Sequence, residues 1–181
     1  MRFFQHPLVC VSLVVGFLAG CTSEDPETTI VINEVSAKSL KGGDYVEIFN
    51  HGDEAVDLTG YGLKDAKPDR QAWRFPDGTV LGPKRRLVVR HDIDGDYTPP
   101  EFPFGLGADD KIVLVDNEDR VVDEVAWEGA QPEGRPMGRY PDGTGEMQRL
   151  SEGTPGMPNT AQPCPGCGAG TVSGPTPRNA D

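Results

Sequence analysis

No window of the chain keeps a convincing apolar period of 3.6 residues, and Gly or Pro interrupts most windows long enough to hold one. Helices are therefore poor candidates for its building blocks. Basic residues are scarce: 17 Lys and Arg stand against 29 Asp and Glu, a formal charge of −12. Charge of that sign repels phosphate backbones and offers no counterion release, which argues against nucleic acid as a ligand. It also gives no polybasic help at an anionic membrane. Histidine is nearly absent, with three in all. His51 falls in an Asn-His-Gly turn and His91 closes "RLVVR" beside Asp92, both ordinary places for a solvated side chain. There is no G-x-S-x-G, S-x-x-K or H-E-x-x-H. The acid pairs Asp109-Asp110 and Asp123-Glu124 are adjacent in sequence, so in a strand their side chains point to opposite faces. That is the wrong geometry for two carboxylates sharing a substrate. The expectation is a domain without catalysis of its own.

The chain also lacks an apolar run of the ~20 residues a membrane-spanning helix requires. Its apolar stretch from Leu8 to Leu18, behind the lone charge of Arg2, has instead the length of a secretory h-region. Leu18-Ala19-Gly20-Cys21 follows and resembles the lipobox of bacterial lipoproteins at all four positions. The resemblance implies cleavage before Cys21 and a diacylglyceryl thioether on it, with 1–20 as the signal peptide. Loss of Arg2 then takes the net charge from −12 to −12 − 1 = −13. Cys10 lies within the removed segment and serves as a small hydrophobe. The expected location is the bacterial cell envelope, held by lipid. Thr22, rather than Asp, after the cysteine points to the outer membrane if sorting is of the enterobacterial kind.

Residues 21–28 are polar and acidic, an expected tether. From Thr154 the composition turns to Pro, Gly, Ser and Thr with few large apolar side chains, the signature of a flexible tail. Between these ends the strand signal repeats. "TIVINEVS" is rich in β-branched residues, and "DYVEIFN" sets Val46 and Ile48 on one face with Tyr45, Glu47 and Phe49 on the other. "AVDL", "QAWRF" and "RLVVR" are further short runs, with Trp73 and Phe75 expected to face the interior together. "KIVLVD" and "RVVDEVAW" flank Asn117-Glu118-Asp119 as a hairpin. Both "PDGT" segments, Pro76–Thr79 and Pro141–Thr144, read as turns. Short strands at turn-spaced intervals predict an all-β, antiparallel β-sandwich of about seven or more strands.

Seven pieces in order carry a more specific likeness: "IVINEVSA", "DYVEIFNHGDEAVDLTGYGLKD", "WRFPDGTVLGP", "LVVR", "DKIVLVDNEDRVVDEVAW", "GRYPDGTGEMQRL" and "TPGMPN". Together they resemble the lamin tail domain, an immunoglobulin-like sandwich found in nuclear lamins and in many exported bacterial proteins. The resemblance spans residues 29–159 and leaves 160–181 as the Pro/Gly-rich tail. It implies a role in binding or display and supplies no reaction.

Two constellations remain. Asp92, Asp94 and Asp96 alternate along "HDIDGDY", as hard-cation sites often do. Gly95 comes two places early for an EF-hand, and Pro103 stands where its bidentate Glu belongs. Calcium is the one cofactor these residues suggest, against a plain acidic loop. Cys164 and Cys167 form a single C-x-x-C among prolines and glycines, half of what a structural zinc requires. Outside the cytoplasm such a pair is expected to close a small disulfide, with an intermolecular bridge as the sharper alternative. Two functions follow as expectations. One is a lipid-anchored module that binds an envelope protein or glycan. The other is a targeting or accessory subunit for a separate exported hydrolase, such as a nuclease or phosphatase.

Overall fold

Ile30, Ile32, Val35, Val46 and Ile48 project from two neighbouring strands into one buried apolar cluster, and the rest of the molecule is arranged around them. A computed structural model describes residues 28–37, 43–67, 71–91 and 101–160. Every regular element among the described residues is a strand. In chain order they are β1 (Ile30–Ser36), β2 (Tyr45–Asn50), β3 (Val56–Asp57), β4 (Gly62–Lys64), β5 (Trp73–Arg74) and β6 (Val80–Leu81). Then come β7 (Arg86–His91), β8 (Glu101–Phe102), β9 (Asp110–Val115), β10 (Val121–Trp127), β11 (Met137–Tyr140) and β12 (Glu146–Arg149).

These strands form a six-stranded sheet of order β12-β11-β1-β2-β7-β8, a four-stranded sheet β10-β9-β4-β5, and a small ribbon β3-β6. Pairing is antiparallel except between β7 and β8. Leu63, Ile112, Leu114, Val125 and Trp127 of the smaller sheet join the same apolar cluster, so the two sheets face each other across a shared core. The expected hairpin is present, β9 and β10 meeting around the Asp116–Arg120 turn.

The tryptophans divide unequally. Trp127 is 2% exposed and its indole Nε1 donates to the Gly107 carbonyl at 2.9 Å, as a buried Trp requires. Trp73, expected to face the interior, is half-buried and packs on the rim of the core, edge-on to Phe75 with ring centroids 5.2 Å apart. Its strand is only two residues long and lies at the edge of the smaller sheet, so the core covers it from one side.

A one-residue register shift separates Ile32 from Glu34 on β1. Ile32 pairs with Ile48, Glu34 with Glu47, and Asn33 is the extra residue. The shift breaks strict alternation. Ile32 and Val35 both reach the core cluster, while Asn33 and Glu34 both bond to groups on the opposite side of the sheet.

Candidate functional site

All six residues of β2 are buried, although only one of its faces meets the core. Residues 153–159, "GTPGMPN", supply the other cover. Composition expects a tail to begin at Thr154. Instead this stretch lies as a strap across the outer face of β1 and β2, and Asn159 is 4% exposed. The difference is chemical. The strap has little apolar surface to bury, but its main-chain N–H groups find acceptors.

Those acceptors are carboxylates. Thr154 donates its backbone N–H to Glu34 Oε1 at 3.0 Å and Oε2 at 3.2 Å, and its hydroxyl to Oε2 at 2.9 Å. Gly156 N donates to Glu47 Oε2 at 2.7 Å. Asn159 N donates to Asp142 Oδ1 at 3.1 Å, and its amide reaches the Asn33 and Arg139 carbonyls. Asn33 Nδ2 ties the set together, donating to Glu47 Oε1 at 2.7 Å and Asp142 Oδ1 at 2.9 Å. The Tyr45 hydroxyl donates to Glu34 Oε1, and Arg86 pairs with Asp142 and lies 3.5 Å from Glu47.

Glu34 and Glu47 have no solvent exposure and stand directly opposite each other in the β1–β2 register. Burial raises both carboxyls above the usual range, against hydrogen bonds from Tyr45 and Thr154 at Glu34 and from Asn33 and Gly156 at Glu47. Glu47 reaches about 7, with the Glu34 charge adding to the rise. Tyr45 is likewise driven upward by burial and by the adjacent carboxylates.

The second "PDGT" turn belongs to this site and the first does not. Asp77 is exposed, whereas Asp142 turns inward to meet Asn33, Arg86 and Asn159. Gly143 makes that possible. Its φ is +72°, and a Cβ there would sit 2.7 Å from His51 Cβ and 2.9 Å from the Phe49 ring.

A separate polar staple crosses between the sheets. Ile32 N donates to Asp123 Oδ2 at 2.7 Å, and Arg139 Nε donates to the Ile32 carbonyl at 2.9 Å. Arg139 closes the loop by pairing with Asp123 at 2.8 Å. The backbone groups at the register shift are thus satisfied by two side chains that also satisfy each other.

Asp123 and Glu124 do point apart. Asp123 is buried in the staple, while Glu124 pairs at the surface with Lys111 at 3.0 Å. Asp110 opens β9 and accepts from Gly107 N, and Asp109 accepts from Gly129 N. His91 N donates to the Asp44 carbonyl, and the Asp44 carboxyl accepts Leu106 N at 2.7 Å. Cys21, Asp92, Asp94, Asp96, Cys164 and Cys167 all lie outside the described residues. Of the Asp-bearing loop, the flanks are placed: His91 and Glu101 end up on adjacent parallel strands, with Arg90 opposite Glu101. Among the described residues, no group of three or more His, Cys, Asp or Glu is arranged to hold a metal ion.

Sequence reasoning passed over Glu34, Glu47, Asp142 and Asn159. A signal was present in "YVEIF", where a glutamate sits mid-strand between Tyr45 and Phe49 on the face that an exposed sheet leaves to polar residues. Two large aromatics beside it announce a cover.

Two packed, mainly antiparallel sheets with no helix among the described residues define an immunoglobulin-like β-sandwich. The family model of the Lamin Tail Domain matches residues 23–129, more than half of the 181-residue chain, and the chain belongs to that family. The family is one of non-enzymatic immunoglobulin-like interaction modules. The match takes in β1 to β10; β11, β12 and the strap follow it and complete the six-stranded sheet and its cover. A comparison with curated proteins found no match.

Proposed function

We propose that this protein is a lipid-anchored, exported binding module that holds an envelope protein or glycan close to a bacterial membrane without catalysis of its own. The observation that carries the reading is the order of its parts. An apolar leader closed by Leu18-Ala19-Gly20-Cys21 and an acidic tether stand ahead of a lamin tail domain sandwich. A β-sandwich offers loops and sheet edges for recognition, and main-chain pairing along an edge is one recurring mode. The lipid on Cys21 is the membrane contact, and under sorting of the enterobacterial kind Thr22 directs it to the outer membrane. Cys164 and Cys167 form a disulfide on the exported side.

Metabolic labelling with a palmitate analogue tests the anchor. The parent should label and sediment with membranes, whereas Cys21→Ser should lose the label and either become soluble or stay unprocessed. Equal labelling of the Ser variant would sink the anchor. Crosslinking in intact envelopes, followed by mass spectrometry, tests the partner. Recovery of envelope polymers or their binding proteins supports the module reading. Recovery of one exported nuclease or phosphatase in fixed stoichiometry would make the chain its targeting subunit instead.

A further inference from the structure

The geometry points to a proton-controlled latch: residues 153–159 stay clasped over β1 and β2 while Glu34 and Glu47 share a proton, and let go when both carboxyls are charged.

Glu34, Glu47 and Asp142 gather under the strap, and among the described residues Arg86 is the guanidinium seen to pair with them, through Asp142 and Glu47. Three ionised carboxylates and one cation leave two uncompensated negative charges at a site where two of the acids have no exposure. Buried charge of one sign is expensive, and like charges directly opposite across two strands repel. One proton bound by the pair, on either Glu34 or Glu47, removes one charge and leaves enough lone pairs to accept Thr154 N, Gly156 N and Asn33 Nδ2.

The other charged groups around the site do not replace that proton. On β7, Arg90 lies over the Tyr45 ring, 5.1 Å from its centroid, at the margin of the cluster. On β11, Arg139 turns to Asp123 between the sheets, and on β12, Arg149 reaches the Arg135 carbonyl. On β2, Tyr45 is held un-ionised by burial and by its acidic neighbours. His51 flanks the Gly143 turn, and Glu152 is exposed just ahead of the strap. Residues 153–159 carry no ionisable side chain. The strap is therefore held by neutral donors against acids whose charge is set by pH. The rise of the Glu47 carboxyl to about 7 puts the change near neutrality.

Release matters because the strap carries the last described bonds to the sheets and covers the outer face of β1 and β2. Clasped, the last bond to the sheets among the described residues is that of Asn159; released, it is that of Leu150, nine residues earlier (159 − 150 = 9). The outer face of β1 and β2, with Tyr45, Glu34 and Glu47, is uncovered at the same time.

Nitrogen-15 relaxation of the full chain at pH 6 and pH 9 tests the latch. The Thr154 and Gly156 amides should fall from an order parameter near 0.85 to below about 0.6, while β2 amides stay rigid. Glu47→Gln mimics the protonated acid and should keep the strap rigid at both pH values; Glu34→Gln should do the same. Strap amides equally rigid at pH 6 and 9 in the parent overturn the proposal, as does loosening that persists in the Gln variants. Should either variant fail to fold, carboxyl carbon-13 shifts of the parent decide the matter. Two separated titration steps for the pair are expected, and both carboxyls fully ionised at pH 6 would refute the shared proton.

Discussion

Asp123 and Glu124 are neighbours in sequence with opposite fates, and the pair shows what a single acid is worth in each setting. Asp123 is buried, bonded to Ile32 N and paired with an Arg139 whose side chain is itself only 11% exposed. Asp123→Asn keeps the shape and an acceptor for Ile32 but leaves the Arg139 charge buried without its partner. Breaking a buried pair this way costs about 3–5 kcal/mol, a large part of the 5–15 kcal/mol a domain typically has. Glu124 pairs with Lys111 where both side chains are roughly a third exposed or more. Glu124→Gln should cost under about 1 kcal/mol, as surface pairs do. Urea denaturation of both variants checks this. Equal losses would mean that the staple does not hold the sheets together.

At the scale of the element, the register shift in β1 and the strap are two solutions to one difficulty. A strand that places Asn33 and Glu34 on one side needs a polar cover there, and the strap brings donors rather than apolar bulk. The β7–β8 connection poses the opposite case. Its flanks are pinned side by side by the Arg90–Glu101 and His91–Phe102 register, and Asp92, Asp94 and Asp96 lie within it, outside the described residues. If Asp92, Asp94 and Asp96 bind no cation, the loop should respond to salt by screening alone. Thermal melts in calcium, magnesium and ionic-strength-matched sodium are then expected to shift together. A rise confined to calcium, and abolished by Asp94→Asn, would instead establish a calcium site.

For the whole molecule, pH works in an unusual direction. Glu47, raised from 4.5 to about 7, binds a proton in the folded state that the unfolded chain has already lost between those values. Its contribution to stability is therefore greatest below about 4.5 and falls away as pH rises to about 7, by roughly 3 kcal/mol. Glu34 and Asp44, also raised by burial, add to the same trend. A formal charge of −12 adds self-repulsion that acid relieves. Asp116 opposes them. Burial works against its charged form, but the side chain and backbone of Arg120 and the Glu118 N–H hold its carboxyl below 3.8. Its contribution is lost only as pH drops below that value. Stability should thus peak on the acid side of neutrality. Denaturation midpoints from pH 4 to 9 test this, with Glu47→Gln flattening the neutral limb; a peak above pH 8 would contradict it.

Much of this was legible in the chain itself. Alternation in "DYVEIFN", the turns at Asn117-Glu118-Asp119 and at both "PDGT" segments, and the want of any helical period follow from local rules, so strands and turns could be placed residue by residue. Of the two-residue strands, β3 and β5 fall within "AVDL" and "QAWRF", whereas β6 and β8 were harder to see, since so short a run carries little period of its own. Tertiary structure alone decided that β1 slips by one residue, that Trp127 rather than Trp73 is the fully buried tryptophan, and that Asp142 and not Asp77 turns inward. It also decided that "TPGMPN", which the family resemblance places within the domain and composition assigns to the tail, lies over β1 and β2 as a cover. The physical reason is common to all four. Each depends on partners 14 to 126 residues away, such as Asn33 with Glu47 and Asn159 with Asn33. Whether a carboxylate finds a main-chain N–H at that separation is settled by the folded sheet, while the local chain dictates only which way its side chain starts.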